Sequence, residues 1–405
     1  MKVCFETFGC RLNRAEALEE EAKYLAAGWT LTTTHSDADR IVIRGCSVTS
    51  RAQRDCEKLI HHLRRKYPGT RLVVQGCFRD DTAKDPRSAV GRAAKLASDN
   101  LQPLLKTADG EVPVPTRTAR AYLKVQDGCS GQCAFCIVPQ FRGKSVSVDF
   151  SAVLDKARRF IDAGYHEIVV TGCNLSLYAS QGKCLPQLVA ALAELGEGPS
   201  RCRIRLGSVE PGECADGIIQ TMVEHENVCR FLHLTVQSGT NRILMAMKRP
   251  YSLNDVTDNI RRATSALPLI ALGCDLMTGF PGESDLDYLA TKTFLLKTAF
   301  SNVHVFPYSK RPGTLAAAFP GSVPREIRKS RAHELAAIAD DKRTNYARQF
   351  IGREVEVLVE DEKRQSGWTS EYLWYEPRCV SSAERQPRKS LVKVRVHAYE
   401  HGWLR

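Results

Sequence analysis

Residues 121–136 read AYLKVQDGCSGQCAFC, a strand-like run that closes on Gly128 and opens into Cys129, Cys133 and Cys136. Gaps of three and then two residues let one short loop wrap a single metal cluster. A structural zinc site takes four protein ligands, and no neighbouring histidine or cysteine completes a set with these three. A cubane iron–sulfur cluster has four irons and usually four thiolates, so three thiolates leave one iron open to a molecule that chelates through amine and carboxylate. A second group of three lies upstream. VCFETFGC (3–10), IVIRGC (41–46) and RLVVQGC (71–77) each run apolar into a glycine and then a cysteine, at Cys10, Cys46 and Cys77. Small buried core residues are the plain alternative, since cysteine packs well. The threefold strand–Gly–Cys repetition favours ligands, and Gly9, Gly45 and Gly76 would let the backbone approach a bulky group.

Composition agrees with an enzyme that handles metal. The chain has 405 residues, 43% hydrophobic and 26% charged, enough for two or three cores. The N-terminus lacks the basic, apolar and small-residue regions of a signal peptide, and no run approaches the ~20 apolar residues of a membrane span. A cytoplasmic protein is therefore expected, in which fifteen cysteines serve metal or catalysis rather than disulfides. A formal charge of +12 favours a polyanionic partner such as nucleic acid, though net charge is a weak signal.

The fold class read from the pattern is α/β in three parts, at 1–105, 115–350 and 351–405. Strands and helices alternate in the first part, with helices over 13–27 and 49–66, which implies an open parallel sheet. Ligands gather at the carboxyl ends of such strands, where Cys10, Cys46 and Cys77 stand. A linker rich in Pro, Thr and charge is read over 103–120. Six strands follow: AYLKVQDGC, EIVVTGC, RIRLGSVE, RFLHLTVQSG, LIALGCDLMTGF and NVHVFPYS. They predict a partial (β/α)6 TIM-like barrel with its site on the strand C-terminal face. From Gly352 short alternating strands predict a small all-β barrel. Its aromatics Trp368, Tyr372, Trp374 and Tyr375 offer a platform for RNA or else cap the barrel's own core. Basic residues concentrate at 51–66 and 325–331, as a phosphate-binding surface or simply as solvated faces.

CSGQCAFC, with Phe135 as its aromatic, resembles the C-x-x-x-C-x-x-C motif of the radical S-adenosylmethionine (SAM) superfamily. The superfamily implies that the electron of a reduced [4Fe-4S] cluster cleaves SAM, giving methionine and a 5′-deoxyadenosyl radical that removes hydrogen from carbon. From end to end the chain resembles the methylthiotransferases. The matching stretches include TFGCRLN, GCSVTSRA, VVQGCF, DGCSGQCAFCIVPQFRGKSVS, VTGCNLSLY, RIRLGSVEP, FLHLTVQSGTNRIL, LMTGFPGES and VHVFPYSKRPGT. The resemblance implies an N-terminal auxiliary-cluster domain, a radical SAM core and a C-terminal TRAM domain. It implies that Cys10, Cys46 and Cys77 hold an auxiliary [4Fe-4S] cluster whose open iron carries the sulfur to be transferred, and that Cys129, Cys133 and Cys136 hold the SAM-cleaving cluster.

The same resemblance implies a SAM pocket. Thr171, Gly172 and Asn174 end the second barrel strand, near the methionyl group. Ser208 and Glu210 end the third and would reach the ribose hydroxyls, although a carboxylate such as Glu210 also serves as an ordinary salt-bridge residue. Gln237 and Ser238 end the fourth, and Gly279 and Gly282 allow close passage beside adenine. Arg142 would meet the SAM carboxylate, the substrate or a surface ion pair. The other nine cysteines (4, 56, 173, 184, 202, 214, 229, 274 and 379) lack paired spacing and read as core thiols.

TFGCRLN and VHVFPYSKRPGT look most like enzymes that place methylthio on C2 of N6-threonylcarbamoyladenosine at tRNA position 37, next to the anticodon. That implies tRNA as partner and an electron donor such as flavodoxin or ferredoxin. Arg44 and Gly45 depart from the usual Asn-Thr before the second cysteine, Thr235 from a proline and Cys173 from a valine. The alternatives are another tRNA adenosine, a ribosomal-protein side chain, or a non-catalytic iron–sulfur RNA-binding protein.

Overall fold

The computed structural model describes residues 1–78, 114, 117–198, 200–379 and 385–405. The boundary expected between 105 and 115, and most of the 103–120 linker, lie outside the described residues. The chain forms two compact units, one of Met1–Arg117, Gly128–Ser130 and Cys136–Lys144, the other of Thr118–Asp127, Gly131–Phe135 and Ser145–Arg405.

The first unit is built on a parallel sheet in the order Thr30–Leu31, Lys2–Thr7, Arg40–Cys46, Arg71–Cys77. Only the two-residue edge strand was not legible from the sequence. The β-branched run Ile41-Val42-Ile43 is wholly buried because alternate residues feed opposite faces. Ile41 and Ile43 pack with Cys4, Cys56, Ile60 and Leu63, whereas Val42 joins Val3, Tyr24 and Val73. The helix Ser50–Lys66 buries Gln53, Cys56, Ile60 and Leu63, a 3.6-residue stripe, and Thr49 caps it by accepting from the Ala52 N–H at 3.2 Å. Its outer face carries exposed Arg51, Arg54, Lys58, Arg65 and Lys66.

In the second unit all six expected strands form, the third broken into Arg203–Leu206 and Ser208–Val209, and they are divided between two parallel sheets. Ala121–Lys124, Glu167–Thr171 and Arg203–Leu206 pair in parallel, as do Ser208–Val209, Phe231–Gln237, Ala271–Thr278 and Phe300–Pro307. Amphipathic helices connect them, and Ser252 and Ser284 open two of these with capping boxes to Asp255 and Asp287. The helix Arg325–Arg348 follows the strand Phe300–Pro307. Of its basic residues, Arg331 is buried in ion pairs with Glu283 and Asp285, and Arg328 donates to the Tyr308 carbonyl. These two hold a loop rather than present charge to solvent.

The C-terminal strands form one sheet of six, from Glu354–Asp361 to Trp403–Leu404, largely antiparallel. It shares a core with the parallel strands of this unit: Phe231 and Ala271 pack with Tyr346, Phe350, Val355, Val357 and Leu373. Tyr372 stacks on Phe231 at 4.7 Å and on Trp368 at 4.5 Å, and Tyr375 is buried. Tyr372 and Tyr375 are thus packing elements of a joint core, with Trp368 stacked against Tyr372.

Beneath them lies a buried charge cluster. Arg203 Nε donates to Glu167 Oε2 at 2.6 Å and Arg205 Nε to Glu167 Oε1 at 2.8 Å. The same guanidiniums donate to the carbonyls of Glu356, Trp368, Thr369 and Ser370 on the C-terminal sheet. Burial pushes the Glu167 carboxyl up, but Arg205 and Arg203 outweigh it and hold the group well below the usual carboxylate range. Its stabilisation is therefore present above the ordinary carboxyl value of about 4.3 and is lost only as pH falls through the depressed one. Glu167→Gln leaves two guanidiniums buried without their counter-charge. It should cost roughly 3–5 kcal/mol in urea unfolding at pH 7, and the difference from wild type should shrink only in strong acid.

Candidate functional site

The cysteines of the first unit converge as their strand positions predict. Cys46 and Cys77 are register neighbours on adjacent strands, and Cys10 ends the turn after Lys2–Thr7 as N-cap of the helix Arg11–Ala26. Two glycines are required on conformational grounds. Gly9 has φ +92°, and a Cβ there would lie 2.9 Å from the Cys46 Cβ; Gly76 has φ +90°, and a Cβ would meet the Gly45 carbonyl at 2.8 Å. Gly45 is needed for space alone, since Phe78 and the Cys56 sulfur occupy its side-chain position. All fifteen cysteines are free. Burial pushes the Cys46 and Cys77 thiols up, and the proximity of Cys10 adds to the effect at both.

A residue that the sequence left ambiguous closes this group. Arg142, on the short helix Val138–Arg142 just beyond Cys136, directs Nε to the Cys77 sulfur at 2.7 Å. Its other nitrogens meet Glu16 at 2.9 and 3.0 Å and Asn13 Oδ1 at 2.9 Å. Asn13 in turn donates to the carbonyls of Phe8 and Gly45 at the two neighbouring turns. Arg44 binds Glu16 at 2.9 Å and Glu20 at 3.0 Å, and Gln75 also donates to Glu20. A buried guanidinium thus reaches a cysteine sulfur while a carboxylate, braced by a second arginine, balances its charge. Asn13, Glu16 and Glu20 were not singled out from sequence, since an Asn and two Glu on a helix look like surface residues.

The second unit repeats the arrangement. Arg249 donates to the Cys133 sulfur at 2.8 Å, to Glu210 Oε1 at 2.9 Å and to the Thr235 hydroxyl at 3.1 Å. Its guanidinium also lies 4.7 Å from the ring centroid of Tyr251. Arg249 escaped the sequence reading because MKRP carries no motif spacing. Thr235, the departure from proline, supplies a hydroxyl to this cluster. Thr171 is buried at its strand end. Gly172 leaves room for Gln126, whose side chain accepts from the Asn174 N–H at 2.9 Å. Ser208 is exposed. Gln237 combines φ +72° with a buried side-chain oxygen that has no partner among the described residues, and Ser238 beside it is buried. Such local strain with an orphaned acceptor recurs at ligand sites. Phe135 packs on Phe280 in an apolar cluster with Met277 and Tyr308. Gly279 faces Arg328, whose Cγ would sit 1.9 Å from a Cβ there, whereas Gly282 faces open space.

Comparison with known proteins agrees with this geometry. A profile of the radical SAM superfamily matches residues 123–295, and one of the uncharacterized protein family UPF0004 matches 2–93. The chain is 30% identical to the threonylcarbamoyladenosine tRNA methylthiotransferase MtaB of Bacillus subtilis (strain 168), over 97% of this chain and 93% of that protein. It is 32% identical to the tRNA-2-methylthio-N(6)-dimethylallyladenosine synthase of Chlorobium limicola, over 90% and 88%. Among solved structures, the radical SAM methyltransferase TsrM of Kitasatospora setae, with cobalamin and a [4Fe-4S] cluster bound, shares the fold at 12% identity. Its TM-score is 0.54 over 78% of this chain and 76% of that one. The chain belongs to the radical SAM tRNA methylthiotransferases. It is accordingly a transferase whose cofactors are SAM and two [4Fe-4S] clusters, and tRNA is its substrate class. The donor sets fit such clusters: each group offers three thiols, and in each unit a buried guanidinium donates to one cysteine sulfur, the kind of hydrogen bond to ligand sulfur that tunes an iron–sulfur centre. No described helix is long and apolar enough to cross a membrane.

Burial pushes the Cys56 thiol, next to Cys46, up to about 12. It is therefore a protonated packing group at neutral pH. In cluster-free protein at pH 8, iodoacetamide should alkylate exposed Cys10, Cys184 and Cys379 readily and leave Cys56 unmodified without denaturant. Peptide mass spectrometry reads the difference.

Proposed function

We propose that the chain inserts methylthio at C2 of N6-threonylcarbamoyladenosine at tRNA position 37, giving 2-methylthio-N6-threonylcarbamoyladenosine. The observation that carries this reading is the pair of cysteine groups, each with one sulfur held by an arginine–glutamate pair, in a chain that aligns over 97% of its length with the Bacillus subtilis relative. The motifs TFGCRLN and VHVFPYSKRPGT support the substrate. In this reading Cys10, Cys46 and Cys77 hold the auxiliary cluster, and Cys129, Cys133 and Cys136 the SAM-cleaving one. When bound, these cofactors supply the redox and radical chemistry.

The chain's own residues bind and orient. Arg249 fixes Glu210 at a barrel-strand end, where its remaining carboxylate oxygen accepts from ribose hydroxyls beside Ser208. Gln237 offers its unpartnered oxygen to the same ligand, with Ser238 next to it. Thr171, Gly172 and Asn174 line the methionyl end and Gly282 admits adenine. Exposed Arg51, Arg54, Lys58, Arg65 and Lys66 meet tRNA phosphates, with strong salt dependence. A small reduced iron–sulfur or flavin protein delivers electrons. The 32% identity to the dimethylallyladenosine synthase supports a second reading, the isopentenyl-type adenosine.

Nucleoside mass spectrometry of tRNA from a deletion strain decides between them. Loss of 2-methylthio-N6-threonylcarbamoyladenosine, with build-up of its precursor and restoration by the gene, supports the proposal; loss of the isopentenyl product instead supports the second reading.

Reconstituted protein should hold about eight irons, four per cysteine group. Alanine at Cys129, Cys133 and Cys136 should leave about four irons and no 5′-deoxyadenosine. Alanine at Cys10, Cys46 and Cys77 should keep SAM cleavage but yield no methylthio product; normal yield there would make those cysteines mere packing groups.

Arg142→Met removes a hydrogen bond to a cluster ligand while retaining much of the side-chain volume. Hydrogen bonds to ligand sulfur stabilise the reduced state. The auxiliary midpoint potential, read in a background lacking Cys129, Cys133 and Cys136, should fall by tens of millivolts, and Arg142→Lys should restore part of it. An unchanged potential at full iron content would make Arg142 structural only.

A further inference from the structure

Three parallel barrel strands bring His233, Asp275 and His304 together on one face of the sheet, away from both cysteine groups in sequence. Asp275 is paired in register with His304, and His233 with Gly273. A histidine in the middle of Phe231–Gln237 is unexpected, because its neighbours Leu232, Leu234 and Val236 are fully buried and apolar. Burying an imidazole there costs free energy unless the ring has a partner.

We propose that His233, Asp275 and His304 form a binding site for one divalent transition-metal ion of the zinc class. His233 Nε2 lies 3.2 Å and His304 Nδ1 lies 3.3 Å from the same atom, Asp275 Oδ1. All three donor atoms fall within 4.8 Å of one another. Zinc–nitrogen and zinc–oxygen bonds of about 2.0–2.2 Å set donor-to-donor edges of roughly 3.0–3.6 Å in tetrahedral or octahedral geometry. The two edges at Asp275 already have that length.

Two histidines and a carboxylate on adjacent strands are also the donor set that holds a metal on one face and leaves its other positions open. His304 is 61% exposed and Asp275 21%, so water or another oxygen donor fills those positions, while His233, 8% exposed, anchors the ion from within. Gly273 keeps the anchor in place: a Cβ there would lie 2.5 Å from His233 Nδ1. The two imidazole rings, with centroids 5.1 Å apart and tilted by 39°, present their nitrogens toward one carboxylate oxygen rather than stacking. The site uses no cysteine and is independent of the reading of the nucleoside substrate.

The test is zinc binding by full-length protein with its iron–sulfur clusters reconstituted, so that the cluster cysteines are occupied. Isothermal titration should find one zinc per chain, and zinc-edge X-ray absorption should show a shell of nitrogen and oxygen without sulfur at about 2.3 Å. His304→Ala, at an exposed position that disturbs packing little, and Asp275→Asn should each weaken binding at least tenfold at unchanged iron content and unchanged thermal midpoint. Absence of zinc binding, sulfur in the zinc shell, or wild-type affinity in folded His304→Ala would each overturn the proposal. Those outcomes would leave a hydrogen-bonded His–Asp–His cluster and would not touch the methylthiotransferase reading, which rests on the nucleoside product.

Discussion

The structure turns on a contact between a buried guanidinium and a cysteine sulfur, made once in each unit. Arg142 reaches Cys77 and Arg249 reaches Cys133, each while paired with a glutamate, Glu16 or Glu210. A buried charge is tolerable only when it is paired and its donors are satisfied. The glutamates meet that condition, and they also fix the guanidinium plane, which an isolated lysine would not do. Hydrogen bonds of this kind to ligand sulfur tune an iron–sulfur centre, and Cys77 ends a parallel strand, where open α/β sheets collect their ligands.

The same electrostatic logic holds the second unit together. Glu167 neutralises Arg203 and Arg205, and their remaining donors satisfy carbonyls of the C-terminal sheet. With Phe231, Tyr346 and Phe350 packed beneath that sheet, the C-terminal strands complete a core shared with the parallel strands instead of hanging from them. Arg331 and Arg328 do related work on the loop that carries Gly279 and Gly282. Several positive charges that look like a surface available to nucleic acid are therefore structural, and the exposed basic face of Ser50–Lys66 is left as the stronger candidate for phosphate contact.

Much of this was readable in advance where local pattern and chemistry coincide. VCFETFGC, IVIRGC and RLVVQGC announce both their strands and the position of each cysteine, because apolar runs make parallel strands and Gly-Cys ends them. The spacing of CSGQCAFC marks a cluster site, and its resemblance to the radical SAM motif supplies the chemistry. The helix at 50–66 follows from a stripe at 53, 56, 60 and 63 with a threonine cap. What could not be read were partners distant in sequence. Arg142 looked like a cofactor or surface residue until Cys77, Glu16 and Asn13 were seen around it. Trp368 and Tyr372 could be read as an RNA platform or as a cap on the domain's own core, and the stacking of Tyr372 on Phe231 and Trp368 favours the second.

By itself the sequence determined the α/β alternation, the strands of the central segment, the two groups of three cysteines and the family to which the chain belongs. All of these are written in short local motifs, such as the threefold strand–Gly–Cys pattern, that can be read without knowing what packs on them. Only the tertiary structure decided which arginine serves a sulfur, which carboxylate balances it, which aromatics are packed, and that His233, Asp275 and His304 share one face. Those choices depend on side chains tens to hundreds of residues apart being desolvated together. A charge's worth is set by the dielectric and partners it meets after folding, and no local pattern records them.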